Sequence, residues 1–184
     1  MMTQQLVRRG LRAMARRLPA TLPIACILAM VVVLSAAPRA DALSWAERSP
    51  SPKPSARRGH AMVSVGGDQV LLFGGWDGSR DGETWVYDLS ENTWTLMSPA
   101  AKPSARENHA MASLGGDQVL LFGGDDGSWD DETWVYDLGV NNWTRIVPAI
   151  MPSVRYCHAM ASLGGDQVLL FGGYDSLRND ETWV

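Results

Sequence analysis

Apolar residues beyond position 42 fall into short runs, separated by Gly, Asp, Asn and Pro, and the whole arrangement recurs every 49 positions. Within the first unit, residues 61–65 alternate loosely and stop at Gly66-Gly67-Asp68, a tight turn whose glycines tolerate positive φ. Val70-Leu71-Leu72-Phe73 is a continuous apolar run of strand length, suited to a strand covered on both faces, and Gly74-Gly75 ends it. Residues 84–89 place Trp85, Tyr87 and Leu89 on one side and Val86 and Asp88 on the other. A fourth strand is predicted over 94–97, reached through the polar turn Ser90-Glu91-Asn92. No part of the unit has a helical period.

The unit is present almost three times. Gly-Gly-Asp-Gln-Val-Leu-Leu-Phe-Gly-Gly stands at 66–75, 115–124 and 164–173, and Glu-Thr-Trp-Val at 83–86, 132–135 and 181–184. Aligning 57–105 with 106–154 gives 33 identities in 49 positions. Such regularity means one supersecondary unit stacked several times. Four antiparallel strands in about 49 residues make one blade of a β-propeller, so the expected fold is all-β. The expected organisation is repeat 1 over 57–105, repeat 2 over 106–154 and a shortened repeat 3 over 155–184.

Arg57-x-x-His60, the Gly74-Gly75 doublet, Tyr87 and Trp94 together resemble the kelch repeat. The set recurs at Arg106, His109, Gly123-Gly124, Tyr136 and Trp143, and begins again at Arg155, His158 and Gly172-Gly173. The resemblance covers 43–184 and implies blades arranged about a central axis. Kelch propellers close their ring by pairing one terminus into the last blade. Trp45 precedes Arg57 by the same 12 residues that separate Trp94 from Arg106, so 43–56 is expected to be a lone outer strand and linker. About three blades cannot close a ring, since propellers have about four to eight. The favoured expectation is a fragment of a longer protein; assembly with another copy and a decayed gene product are the alternatives. Open blade edges would also favour self-association.

Residues 1–42 differ in kind. They hold Arg8, Arg9, Arg12, Arg16, Arg17 and Arg39, an apolar run over 22–34, and Ala40-Asp41-Ala42, which fits a small-x-small cleavage site. A secretory signal cleaved after Ala42 is expected, giving an extracytoplasmic or secreted chain with no membrane contact. The apolar run is shorter than the roughly 18–20 residues of a stable span. A retained membrane anchor or an organellar transit peptide are the alternatives. Residues 43–184 keep 10 of the 16 basic and 19 of the 20 acidic residues, a net of 10 − 19 = −9. That balance argues against a nucleic-acid partner, which needs clustered Lys and Arg. Cys157 is the one cysteine beyond 42, so no internal disulfide is expected.

In an up-and-down blade, the long loops 76–83 and 98–108 emerge on one face together with Arg57 and His60. Comparison between the copies separates constant scaffold from variable surface. Arg58, Glu107 and Tyr156 vary, as do Trp76, Asp125 and Tyr174, and Arg80, Trp129 and Arg178. These positions are the candidate contacts for a protein or carbohydrate ligand; unconstrained loop positions are the competing reading. Gly59, Asn108 and Cys157 vary beside them. Arg57, Arg106 and Arg155 could ring an anionic ligand, although ion pairs to Glu83 or Glu132 are the preferred expectation. His60, His109 and His158 occupy identical positions on separate blades, so structural roles are expected in place of shared metal ligation. The acid-rich loops 77–83, 125–132 and 175–181 lack EF-hand spacing, and Asp is common in turns. No cofactor is expected. Some kelch-like propellers are enzymes, including copper-radical galactose oxidases and a sialic-acid mutarotase, but no catalytic residue of theirs can be matched here. The leading expectation is a non-catalytic binding module, with part of an extracellular carbohydrate-active or oxidase-type enzyme as the alternative.

Overall fold

The same five residues, Gln-Val-Leu-Leu-Phe, form the second strand of each of three antiparallel sheets in the computed structural model, which describes residues 44–184. The first sheet has the order β1 (Ala61–Ser64), β2 (Gln69–Phe73), β3 (Thr84–Asp88), β4 (Thr93–Met97). The second repeats it with β5 (Ala110–Gly115), β6 (Gln118–Phe122), β7 (Thr133–Asp137) and β8 (Asn142–Ile146). The third holds β9 (Ala159–Gly164), β10 (Gln167–Phe171) and β11 (Thr182–Trp183). There is no helix among the described residues, and the three sheets form no closed ring.

Each sheet is a meander. Val65 N–H donates to Gln69 O at 3.1 Å and Gln69 N–H to Gly66 O at 3.2 Å, closing the β1–β2 turn through Gly66 and Gly67 at φ +95° and +53°. The β3–β4 turn uses Asn92 at φ +53°, and the Tyr87 hydroxyl donates to its side chain at 2.8 Å. Asn141 and Tyr136 repeat the arrangement at 2.9 Å. Asn suits this place because its short polar side chain tolerates the left-handed region.

The first strands β1, β5 and β9 lie side by side, and the outer strands fan away from them. The core therefore sits between sheets. Leu71, Phe73 and Val86 of blade 1 meet Met111, Val119, Leu121, Tyr136 and Trp143 of blade 2, all nearly or wholly buried. In β3, Thr84, Trp85 and Val86 are all buried, so both faces of that strand are covered. The same phenylalanine is 0 % exposed as Phe73, 3 % as Phe122 and 52 % as Phe171, because burial of each blade depends on the blade that follows it.

Residues 44–50 form no strand and Trp45 is fully exposed; the strands with which the lone outer strand expected over 43–56 would pair are not among the described residues. A β-strand exists through the ladder to its neighbour, and none of the three sheets extends to this segment. The expected signal over 1–42 lies outside the described residues.

Adjacent blades are stapled at the glycine doublets. Gly75 N–H donates to Arg106 O at 2.9 Å, and Gly124 N–H to Arg155 O at 2.9 Å. Gly74 and Gly123 have φ +67° and +65°, and a Cβ on either would stand 2.6 Å from the Arg106 or Arg155 carbonyl oxygen. Gly123→Ala is therefore expected to lower stability by about 1–3 kcal/mol in urea titration. Gly116→Ala carries a similar φ of +55° but meets nothing within 4 Å, so its loss should be the smaller of the two.

Candidate functional site

The constant arginines are embedded struts. The Arg106 side chain is 0 % exposed and its fork donates to Gly123 O at 3.1 Å, Ser104 Oγ at 2.7 Å and Glu132 Oε2 at 2.7 Å. Asp130 lies 3.1 Å away on the same nitrogen. Arg57 repeats this with Gly74 O at 3.1 Å, Asp81 at 2.9 Å and Glu83 at 3.0 Å. Arg155 repeats it with Gly172 O at 3.0 Å and Glu181 at 2.7 Å. No ring of arginines open to an anionic ligand forms, because each guanidinium faces its own blade's acids. Burial pushes the Asp81 and Asp130 carboxyls up. Burial works the same way on Glu132, but hydrogen bonds from Trp134 and Arg106 outweigh it and hold that carboxyl below its ordinary value.

The nine variable residues named as candidate contacts come together on one rim. Beyond the glycine doublets, the first two strands of each blade are extended by single bridges: Arg58 to Trp76 to Arg80, Glu107 to Asp125 to Trp129, and Tyr156 to Tyr174 to Arg178. Backbone bonds fix the pairs, with Trp76 N–H to Arg58 O at 2.8 Å and Tyr174 N–H to Tyr156 O at 3.0 Å. Side chains then interlock across blades. Arg80 donates to Asp125 Oδ1 at 2.8 Å and to Asp125 O at 3.0 Å. Trp129 reaches the next blade, with ring centroids 5.6 Å from Tyr156 and 5.7 Å from Tyr174. The guanidinium carbons of Arg58 and Arg80 lie 5.9 and 5.8 Å from the centroid of Trp76, within cation–π range. Trp129 and Tyr174 keep 39 % and 36 % of their surface open. Arg58 and Arg178 are exposed and carry no ion pair among the described residues.

The histidines stand between blades. His109 packs edge-on against Phe73 of blade 1 with centroids 5.5 Å apart, and His158 does the same against Phe122 at 5.5 Å. Neither ring nitrogen of His109 or His158 has a hydrogen-bond partner. Burial, aided by Arg106, lowers His109 to about 3; burial, aided by Arg155, lowers His158 to about 4. Both rings are thus neutral packing elements. The loop acids have partners of their own: Asp77, Asp126 and Asp175 accept from Ser55, Ser104 and Ser153 at 2.8, 2.8 and 3.0 Å. No cluster of three or more His, Cys, Asp or Glu fit to hold a metal ion occurs among the described residues. Burial and Glu107 raise the Cys157 thiol, which disfavours the thiolate.

The family description "KLHDC2/KLHL20/DRC7 Kelch-repeats domain" matches residues 35–184. The chain belongs to the kelch-repeat family. A search of curated proteins finds no match.

Two features of this kelch scaffold went unread in the sequence. Asp81 and Asp130 join the arginine struts, a role visible only as identity between copies two residues before the constant glutamate; the third copy has Asn179 there. Trp143 is the second. Its ring lies between blades 1 and 2, and its Nε1–H donates to Thr84 Oγ1 at 3.0 Å across 59 residues.

Arg106→Ala removes one partner of a buried ion-pair network and should cost about 3–5 kcal/mol in denaturant unfolding. Arg106→Lys should recover little of this, since an ammonium cannot reproduce the fork. For the histidines, the folded-state values lie below the unfolded value of about 6.5, so the unfolded chain binds more protons as pH falls. Their contribution is complete above about pH 6.5 and declines toward their folded values, by up to about 1.4 kcal/mol per pH unit for each ring. Thermal unfolding between pH 7 and pH 5, above the carboxylate range, should show this slope, and His109→Phe should remove a large part of it.

Proposed function

We propose that this kelch chain is a secreted, non-catalytic protein-interaction module that engages its partner through the rim formed by Arg58, Trp76, Arg80, Glu107, Asp125, Trp129, Tyr156, Tyr174 and Arg178. The observation that carries this reading is the convergence of the variable positions. On a repeated scaffold, nine of the side chains that differ between copies, at three equivalent positions per blade, lie in one interlocked surface with its backbone held by bridges. Fixed backbone beneath variable side chains is the arrangement in which contact chemistry can change without altering the fold.

The chemistry of the rim suits an acidic segment bearing an apolar or aromatic side chain. Trp129, Tyr156 and Tyr174 offer a partly open aromatic cluster, and aromatic rings give large contact area at low entropic cost. Arg58 and Arg178 supply free cations for carboxylates. A glycan is the second reading, favoured by the open rings of Trp129 and Tyr174, on which a sugar face can stack.

Capture of partners from extracellular fluid by the wild-type chain, compared with Trp129→Ala/Tyr174→Ala, tests the proposal. Loss of the captured protein by tenfold or more, with an unchanged far-UV circular dichroism spectrum, is the expected result. Undiminished capture overturns the rim as the contact surface. A glycan-array signal that disappears in the same variant, without protein capture, selects the second reading.

A further inference from the structure

Copy 2 departs from copy 1 at a place the rim does not use. Where copy 1 reads Thr93-Trp94-Thr95, copy 2 reads Asn142-Trp143-Thr144. Asn-x-Thr, with x other than Pro, is the acceptor pattern for an N-linked glycan. Of the asparagines Asn92, Asn108, Asn141, Asn142 and Asn179, only Asn142 stands two residues before a Ser or Thr.

The fold puts this pattern on the perimeter. β8 is the outermost strand of the second sheet, and Asn142 opens it. Asn142 lies opposite Asp137, the last residue of β7, whereas the rim loop enters β7 at Thr133. Four residues of strand, about 13 Å, separate those two ends. A glycan on Asn142 therefore leaves the rim clear. The surroundings are open as well, with Asn142 half-buried, Thr144 exposed and Val140 71 % exposed.

The side chain can carry a sugar without giving up its bonds. Its Oδ1 accepts from Ala101 N–H at 2.9 Å, which latches the linker, and its Nδ2 donates to Trp143 O at 3.2 Å. Nδ2 has two hydrogens, so one keeps the bond to Trp143 and the other gives way to the sugar. Trp143 sets the timing. Its ring is 1 % exposed, with centroids 5.1 Å from Phe73 of blade 1 and 5.0 Å from Tyr136 of its own blade. Once the blades stack, the three residues cannot be drawn out into a transferase, so transfer has to precede the docking of β8.

We propose that Asn142 is glycosylated on Nδ2 in a secretory compartment while the chain is still unfolded, which rests on the chain being secreted. The donor class is an oligosaccharide linked to a lipid diphosphate. Nδ2 attacks the anomeric carbon, a C–N bond forms, and the C–O bond to phosphate breaks. The lipid diphosphate leaves with the electron pair, and one Nδ2 proton passes to a base of the transferase. The attached sugar then adds polar bulk beside the outer edge of β8, where it obstructs pairing by a strand of another chain. Copy 1, with Thr93 in place of the asparagine, has no such acceptor.

Translation of the full chain, with residues 1–42 in place, into rough microsomes tests the proposal. The protease-protected product should run as a single heavier band that peptide N-glycosidase removes. The heavier band should be absent from Asn142→Gln and from Thr144→Ala, and kept by Asn141→Gln. Because transfer precedes folding, none of these outcomes depends on the variant folding. A protected chain without the heavier band overturns the inference and leaves secretion standing; an unprotected chain overturns both. A heavier band that persists in Asn142→Gln overturns the assignment to this residue. Thr144→Ala keeps the Asn142 bond to Ala101, so its far-UV circular dichroism should match that of the glycosylated protein. Loss of strand signal in the glycosylated protein alone overturns the claim that the fold accommodates the sugar.

Discussion

Arg106 is bonded in two directions at once, and the stacking of the blades depends on that. Its guanidinium is embedded in blade 2 against Glu132, Asp130 and the Gly123 carbonyl. Its backbone belongs to the previous blade, with N–H donating to Asp81 O at 3.0 Å and carbonyl accepting from Gly75. A buried charge is tolerable only when fully paired, so the strut fixes the linker conformation that presents the backbone to the neighbour. Gly74 follows from the same constraint, since a side chain there would occupy the place of the Arg106 carbonyl. Repetition of this joint at Arg155 and Gly123 makes the arrangement a stack in place of three separate sheets.

Local order was legible because it is written in local chemistry. Strands predicted over 61–65, 70–73, 84–89 and 94–97 end within a residue of β1, β2, β3 and β4, since glycine and asparagine turns bound them on both sides. The preferred ion pairs of Arg57 to Glu83 and Arg106 to Glu132 are present. Alternation was a poorer guide. Residues 84–86 are all buried because this stretch of β3 is covered on both faces, and period two has no solvent face to report there. Residues 44–50 carry the residues of a fourth strand but form none, because pairing is a property of two segments and sequence pattern describes one.

The candidate rim was half legible. Internal comparison picked out the nine rim residues among the variable ones, but it could not show that Arg80 would meet Asp125 across 45 residues, or Trp129 its two tyrosines. Those contacts depend on the twist between blades, which no single repeat encodes. Blade topology places Arg57 on the same face as the long loops, but its side chain is buried against Asp81 and Glu83 while that of its neighbour Arg58 is exposed.

That contrast also explains where change is permitted. Arg106 contacts an acid pair, a carbonyl and a serine while its backbone holds the next blade, so any replacement disturbs several bonds together. Glu107, its neighbour, contributes to the ladder only through its backbone bonds to Asp125, at 3.0 and 2.9 Å. The side chain there can be Arg, Glu or Tyr without altering the ladder, as the copies at 58, 107 and 156 demonstrate. Where the third copy relaxes the strut, by Asn179 in place of an aspartate, Arg155 still has Glu181 at 2.7 Å, so the pair to glutamate suffices to hold the linker. Scaffold side chains are thus tied to several partners within their own blade, whereas at the rim the ladder is held by the backbone and the side chains differ from copy to copy.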